Sequence, residues 1–109
     1  MRDNIKGGAM TETTFLILLA LYRPNHGYGI MQFIEQETVG RVRLGAGTLY
    51  GALDTFLKRN WIVLLEDSGD SRKKEYIITE IGKEAAKLEL KRVNDLQLLA
   101  TKIIGGGEK

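Results

Sequence analysis

The stretch Gly45-Ala46-Gly47-Thr48-Leu49-Tyr50-Gly51-Ala52-Leu53-Asp54-Thr55-Phe56-Leu57-Lys58 constrains the fold more than any other, because it predicts a helix with two unlike faces. At 3.6 residues per turn, Leu49, Leu53, Phe56, Leu57 and Asn60 share one side and predict a stripe against a core. The opposite side carries Thr48, Gly51, Thr55 and Lys58, small or hydrogen-bonding groups with a cation at the far end. Arg41 and Arg43 precede the helix and Arg59 follows it. A small polar face flanked by cations suits the major groove of duplex DNA. A solvated surface helix is the competing reading, and the rest of the chain has to decide between them.

With 109 residues, the chain has material for one domain with a real core. It has no cysteine and a single histidine, which excludes a disulfide framework and a thiolate metal site. No metal and no cofactor are expected. His26 has no partnered nucleophile or second histidine, so it reads as a capping or packing group and the chain as a non-enzyme. The glycines of Gly45-x-Gly47-x-x-x-Gly51 superficially resemble a dinucleotide fingerprint. That site needs its third glycine one place earlier and a buried apolar strand before the turn, where this chain has Val42-Arg43-Leu44.

The longest apolar run, Phe15 to Tyr22, is too short to span a bilayer and lacks the flanks of a signal peptide, so a cytoplasmic location and no membrane partner are expected. Net charge is only +2, so any nucleic-acid surface has to come from local clustering. Between Arg41 and Lys74 the basic residues Arg41, Arg43, Lys58, Arg59, Arg72, Lys73 and Lys74 outnumber the acidic Asp54, Glu66, Asp67 and Asp70.

Along the chain, Thr11 caps a helix over about 11–22 whose second half is apolar all round, with Pro24 as its terminator. A second helix starts at His26, turns Ile30, Phe33, Ile34 and Met31 inward, and closes at Gly40. After the two-faced helix, Trp61 to Leu65 and Glu75 to Thr79 read as strands joined by the turn material Asp67-Ser68-Gly69-Asp70-Ser71. Trp61 reads as core. From Thr79, an N-cap, a long helix runs to about Ile104 and stops at Gly105-Gly106-Gly107.

Three helices, a hairpin with a basic loop and a long helix predict a mainly α fold with a small β-hairpin: a winged helix-turn-helix with a long C-terminal dimerisation helix. The expected domains are 1–79 for DNA binding, with the 11–22 helix contributing to the dimer, 80–104 for dimerisation, and 105–109 as a tail. The third helix would enter a groove of double-stranded DNA while Arg72, Lys73 and Lys74 of the wing meet flanking phosphates. The last helix carries Leu90, Val93, Leu96, Ala100 and Ile103 on one face and Ile81, Ala85, Leu88 and Leu99 beside it, more apolar surface than a small winged domain covers. It calls for a second copy. Winged domains that bind proteins through the same faces are the rival reading.

His26-Gly27-Tyr28, Gly47-Thr48-Leu49-Tyr50 with Leu53, and Tyr76-Ile77-Ile78-Thr79-Glu80-Ile81-Gly82 together resemble a short-form PadR-family transcriptional regulator. Two positions depart from that pattern: Asn60 stands where a glycine is usual, and Arg72 where the wing often has proline. The resemblance implies a homodimeric repressor on an inverted-repeat operator, with the Phe15 to Tyr22 helix of one subunit against the last helix of the other. Candidate DNA contacts are Tyr28, Arg43, Thr48, Tyr50, Gly51, Thr55, Lys58, Arg72, Lys73 and Lys74. Tyr28 either touches phosphate or packs, and Tyr50 is assigned to phosphate. Candidate dimer residues are Phe15, Leu18, Leu19, Leu90, Val93, Leu96, Ala100 and Ile103. A small-molecule effector, if one binds, has Phe15, Leu19, Val93, Leu96 and Ala100 as walls, with a filled dimer core as the alternative. The tryptophan pair that sandwiches flat ligands in some relatives is absent from the last helix.

Overall fold

The computed structural model describes residues 5–6, 9–66 and 74–106. In chain order it comprises β1 (Ile5–Lys6), β2 (Ala9–Met10), α1 (Glu12–Leu19), α2 (Gly27–Glu37), α3 (Ala46–Lys58), β3 (Ile62–Glu66), β4 (Glu75–Ile78) and α4 (Glu80–Ile104). This is the expected mainly helical fold with one small wing hairpin and a long last helix. The short β1–β2 hairpin was not anticipated.

Three helices begin at side-chain caps, each accepting an otherwise orphaned backbone N–H. Thr11 accepts from Thr14 at 3.1 Å, His26 Nδ1 from Gly29 at 3.2 Å, and Thr79 from Gly82 at 3.0 Å. The Thr79 hydroxyl also donates to the Asn60 carbonyl at 2.7 Å, tying the start of α4 to the turn that enters β3. Asn60 holds φ at +61°, a left-handed conformation that asparagine tolerates in place of glycine.

α1 is shorter than expected. It ends at Leu19, and Pro24 is not what stops it. Leu21 and Tyr22 donate to the Leu18 and Leu19 carbonyls, tightening the end of the helix, and β4 takes the backbone beyond: Ile78 donates its N–H to the Leu21 carbonyl at 2.9 Å, and Asn25 and Tyr76 exchange two hydrogen bonds. β4 thus lies between β3, with Ile62 opposite Ile78 and Val63 opposite Ile77, and the single bridging residue Asn25.

The core joins Ile17, Leu18 and Leu21 to Ile30 and Ile34 of α2, Leu49, Leu53 and Phe56 of α3, Ile62 of β3 and Ile78 of β4. Phe56 stacks on half-buried Trp61 with ring centroids 5.6 Å apart, and the Arg59 guanidinium sits 5.4 Å over the Trp61 ring. Leu57 and Asn60, expected on the core stripe, are exposed at its margin. α4 leaves the core over Gly82, where a β carbon would collide with the Trp61 carbonyl oxygen.

Beyond Glu89, α4 projects outward. The Cα radius of gyration is 15.6 Å, against about 13 Å for a compact chain of this length. Glu89 is the last anchor. Only 2% exposed, it accepts the Met10 N–H at 3.2 Å and pairs with Arg92, which also reaches the Met10 carbonyl at 3.5 Å. The Arg92 hydrogen bond, helped by the Met10 N–H, outweighs burial and holds the Glu89 carboxyl below the usual carboxylate range.

α2 closes with Gly40 donating to the Glu35 carbonyl at 2.8 Å and Val39 to that of Gln36 at 3.2 Å, the paired bonds of a Schellman motif. The left-handed position in this motif falls to Val39, at φ +52°, rather than to a glycine. Val39 is 91% exposed, so no packing offsets the strain on a β-branched residue. Val39→Gly is therefore expected to raise stability by about 1 kcal/mol in urea unfolding.

Glu89→Gln is expected to lose about 1–3 kcal/mol at pH 7. Because the folded pKa of Glu89 is depressed, its ionised form stabilises the fold above the ordinary carboxylate pKa, and this contribution is lost as pH falls through that range. Urea midpoints of wild type and Glu89→Gln should therefore converge on acidification.

Candidate nucleic-acid interface

α3 begins at Gly45 without a side-chain cap, and Gly45 to Thr48 are exposed while Leu49 is buried. Thr48, Asp54 and Lys58 are exposed and Thr55 is half-buried. The Thr55 hydroxyl donates to the Gly51 carbonyl at 3.2 Å, a bond back to its own helix. Gly51, expected on the outward face, is buried: it presents only backbone, and Thr55 sits on its carbonyl. The outward face is therefore narrower than the helical period implied.

Tyr50 is 47% exposed, and its hydroxyl lies over the start of α2, so close that a β carbon at Gly27 would collide with it. Tyr28, 64% exposed, projects from the same first turn. Two phenols thus stand near the positive end of the α2 dipole, a place suited to a phosphate oxygen.

The cations around α3 are engaged with carboxylates. Arg41 grips Glu12 through both guanidinium nitrogens, Arg43 lies 3.6 Å from Glu35, and Lys58 lies 2.9 Å from Asp54. The Arg41 hydrogen bonds hold the Glu12 carboxyl below its ordinary range, and Glu12 in turn raises the basicity of Arg41. The sequence reading counts Asp54 among the acids of this stretch but pairs none of the three with a cation. The Asp54 and Lys58 pair was legible from its i, i+4 spacing. Glu12 and Arg41, 29 residues apart, needed the fold. Lys74 is half-buried just before β4, while Arg72 and Lys73 lie outside the described residues.

Of the expected dimer residues, Leu18 is wholly buried within its own chain, packed in the core described above, and is not available to a partner. Phe15 is half-buried and Leu19 exposed on α1. On α4, Leu90, Val93, Leu96 and Ile103 are exposed and Ala100 is half-buried. A cavity of about 830 Å³ opens elsewhere, between α2 and the 39–44 segment, with Tyr28, Met31, Gln36, Val39, Arg43 and Leu44 in its walls. Among the described residues no helix is long and apolar enough to cross a membrane, and no group of three or more His, Cys, Asp or Glu is placed to hold a metal.

Three helices, a small antiparallel hairpin and a long last helix define a winged helix-turn-helix protein. The model of the transcriptional regulator PadR-like family matches residues 15–88, and the chain belongs to that family. By this membership it is a DNA-binding transcriptional regulator. A transcriptional regulator from Clostridium thermocellum superposes with a TM-score of 0.69 at 23% identity, over 90% of this chain and 93% of that one. A PadR family transcription regulator from Clostridium difficile R20291 gives 0.69 at 22% identity, over 86% and 99%. Both share the fold. An uncharacterized 37.1 kDa protein in a Streptomyces fradiae transposon is 38% identical over 79 residues, 72% of this chain. The matched region spans only 22% of that relative's length.

Because Arg43 and Lys58 make only exposed ion pairs, Arg43→Ala and Lys58→Ala should leave the urea midpoint unchanged within measurement error. Any effect of these variants on DNA binding then belongs to the interface.

Proposed function

We propose that this chain is a cytoplasmic repressor that binds an inverted-repeat operator as a homodimer. The observation that carries this reading is α4 beyond Glu89, where Leu90, Leu96, Leu98, Leu99 and Ile103 all stand exposed. A projecting apolar helix of this length is more exposed apolar surface than a monomer of this size ordinarily carries. Phe15 and Leu19 of one subunit against Val93, Leu96 and Ala100 of the other supply an isologous two-fold contact, and these residues fill the dimer core rather than line an effector pocket. In this reading residues 1–79 form the DNA-binding unit, 80–104 the dimerisation helix and 105–109 a tail. A two-fold axis sets two copies of α3 against successive major grooves, about 34 Å apart or a small multiple of that, and so calls for a palindromic site. A dimer seated across a promoter excludes polymerase, which is repression.

Within each half-site, Thr48 and Thr55 are proposed to reach base edges. Tyr28, Tyr50, Arg43, Lys58, Arg72, Lys73 and Lys74 are proposed to hold phosphates. Gly51, being buried, serves only to let the helix face lie close.

Fluorescence anisotropy against the DNA upstream of the chain's own gene and a scrambled duplex tests the reading. Preference of about a hundredfold or more for the upstream DNA is expected. Equal, weak binding to both, persisting with duplexes selected from random pools, would reject it. Lys73→Ala with Lys74→Ala should weaken binding to every duplex and lower the salt slope by roughly one per lost phosphate contact, whereas Thr48→Ala should change the preference among sequences. Leu96→Asp should yield monomers in sedimentation velocity, with the helical circular dichroism of the winged domain retained.

A further inference from the structure

Arg41, Arg43 and Lys58 flank the two ends of α3, and each is paired with a carboxylate from outside the wing: Glu12 of α1, Glu35 of α2 and Asp54 of α3 itself. All six side chains are more than half exposed. Exposed ion pairs of this kind add little to stability, so folding does not account for them. Their effect on a polyanion is larger. A phosphate that engages one of these cations either displaces the carboxylate or comes to lie beside it, and both outcomes weaken binding.

We infer that Glu12, Glu35 and Asp54 are built-in competitors for DNA phosphates, holding the cations beside the reading helix until the operator displaces them. The inference rests on the DNA-binding reading above and adds residues that contact no DNA. The three acids cancel the three cations one for one, which keeps nonspecific electrostatic attachment weak, since base contacts are absent there to offset the exchange. Glu12 is the strongest competitor. It makes two hydrogen bonds to Arg41, where Glu35 and Asp54 each make a single ion pair.

The test compares Glu12→Gln, Glu35→Gln, Asp54→Asn and the triple variant with wild type, by anisotropy on a random-sequence duplex and on a duplex selected by the wild-type protein. Glu84→Gln, which breaks a pair with Lys87 on α4, changes net charge equally at a remote site and is the control. Each interface variant is expected to bind the random duplex up to roughly fivefold more tightly at low salt, with the gain fading as salt rises and thermal unfolding unchanged. The selected duplex should gain less, so the ratio of specific to nonspecific affinity falls. Wild-type binding with no gain in the interface variants, or an equal gain from Glu84→Gln, overturns the inference and leaves the DNA-binding reading intact. Absence of binding by wild type to any duplex overturns both.

Discussion

The apolar seam in which Ile17, Leu18 and Leu21 meet Leu49, Leu53 and Phe56 is the contact on which the rest depends. It fixes the back of α3 so that Gly47, Thr48, Tyr50, Asp54 and Lys58 stand clear of the core. Burial of Phe56 in this seam also locates Trp61, and through it the turn at Asn60 and the first turn of α4. Deletion of a side chain such as Phe56 would cost about 3–5 kcal/mol, a large part of the stability of a domain this size. The polar surface can vary at little such cost, and Thr48, Asp54, Lys58 and the paired Arg41, Arg43, Glu12 and Glu35 are all exposed there.

Much of this was legible in the residues. Leu49, Leu53 and Phe56 recur with the helical period, Thr11, His26 and Thr79 mark starts, and the two β-branched runs around a polar link give the hairpin. The errors have common physical roots. Past Leu19 the chain tightens to i−3 bonds and then gives the Leu21 carbonyl and Asn25 to β4, a long-range pairing that helix propensity does not register. Gly51 is buried because exposure depends on what covers the backbone, and periodicity describes only direction. Leu18 was assigned to a partner because an all-apolar helix does not reveal which of its sides its own chain uses.

The candidate site was less legible than the fold. Residue types and order pointed to α3 and the wing, but two of the three carboxylates that occupy its cations come from α1 and α2. Their proximity exists only after folding. The same holds for the Tyr50 hydroxyl over Gly27, where a missing β carbon in one helix makes room for a phenol from another.

The anchoring of α4 has a mechanical consequence. From Glu80 to Ile104 it is 25 residues, a rod of about 37 Å, held to its own domain near one end by Gly82, Ala86 and Glu89. A lever held at one end magnifies angle into distance, and a bend of about 5° just beyond Glu89 moves the tip of the free length, about 22 Å away, by about 2 Å. In the proposed dimer, two such levers crossed at a two-fold axis would swing their heads apart by a comparable amount. In that proposed dimer, repacking where α4 meets α1 would then shift the heads relative to the groove.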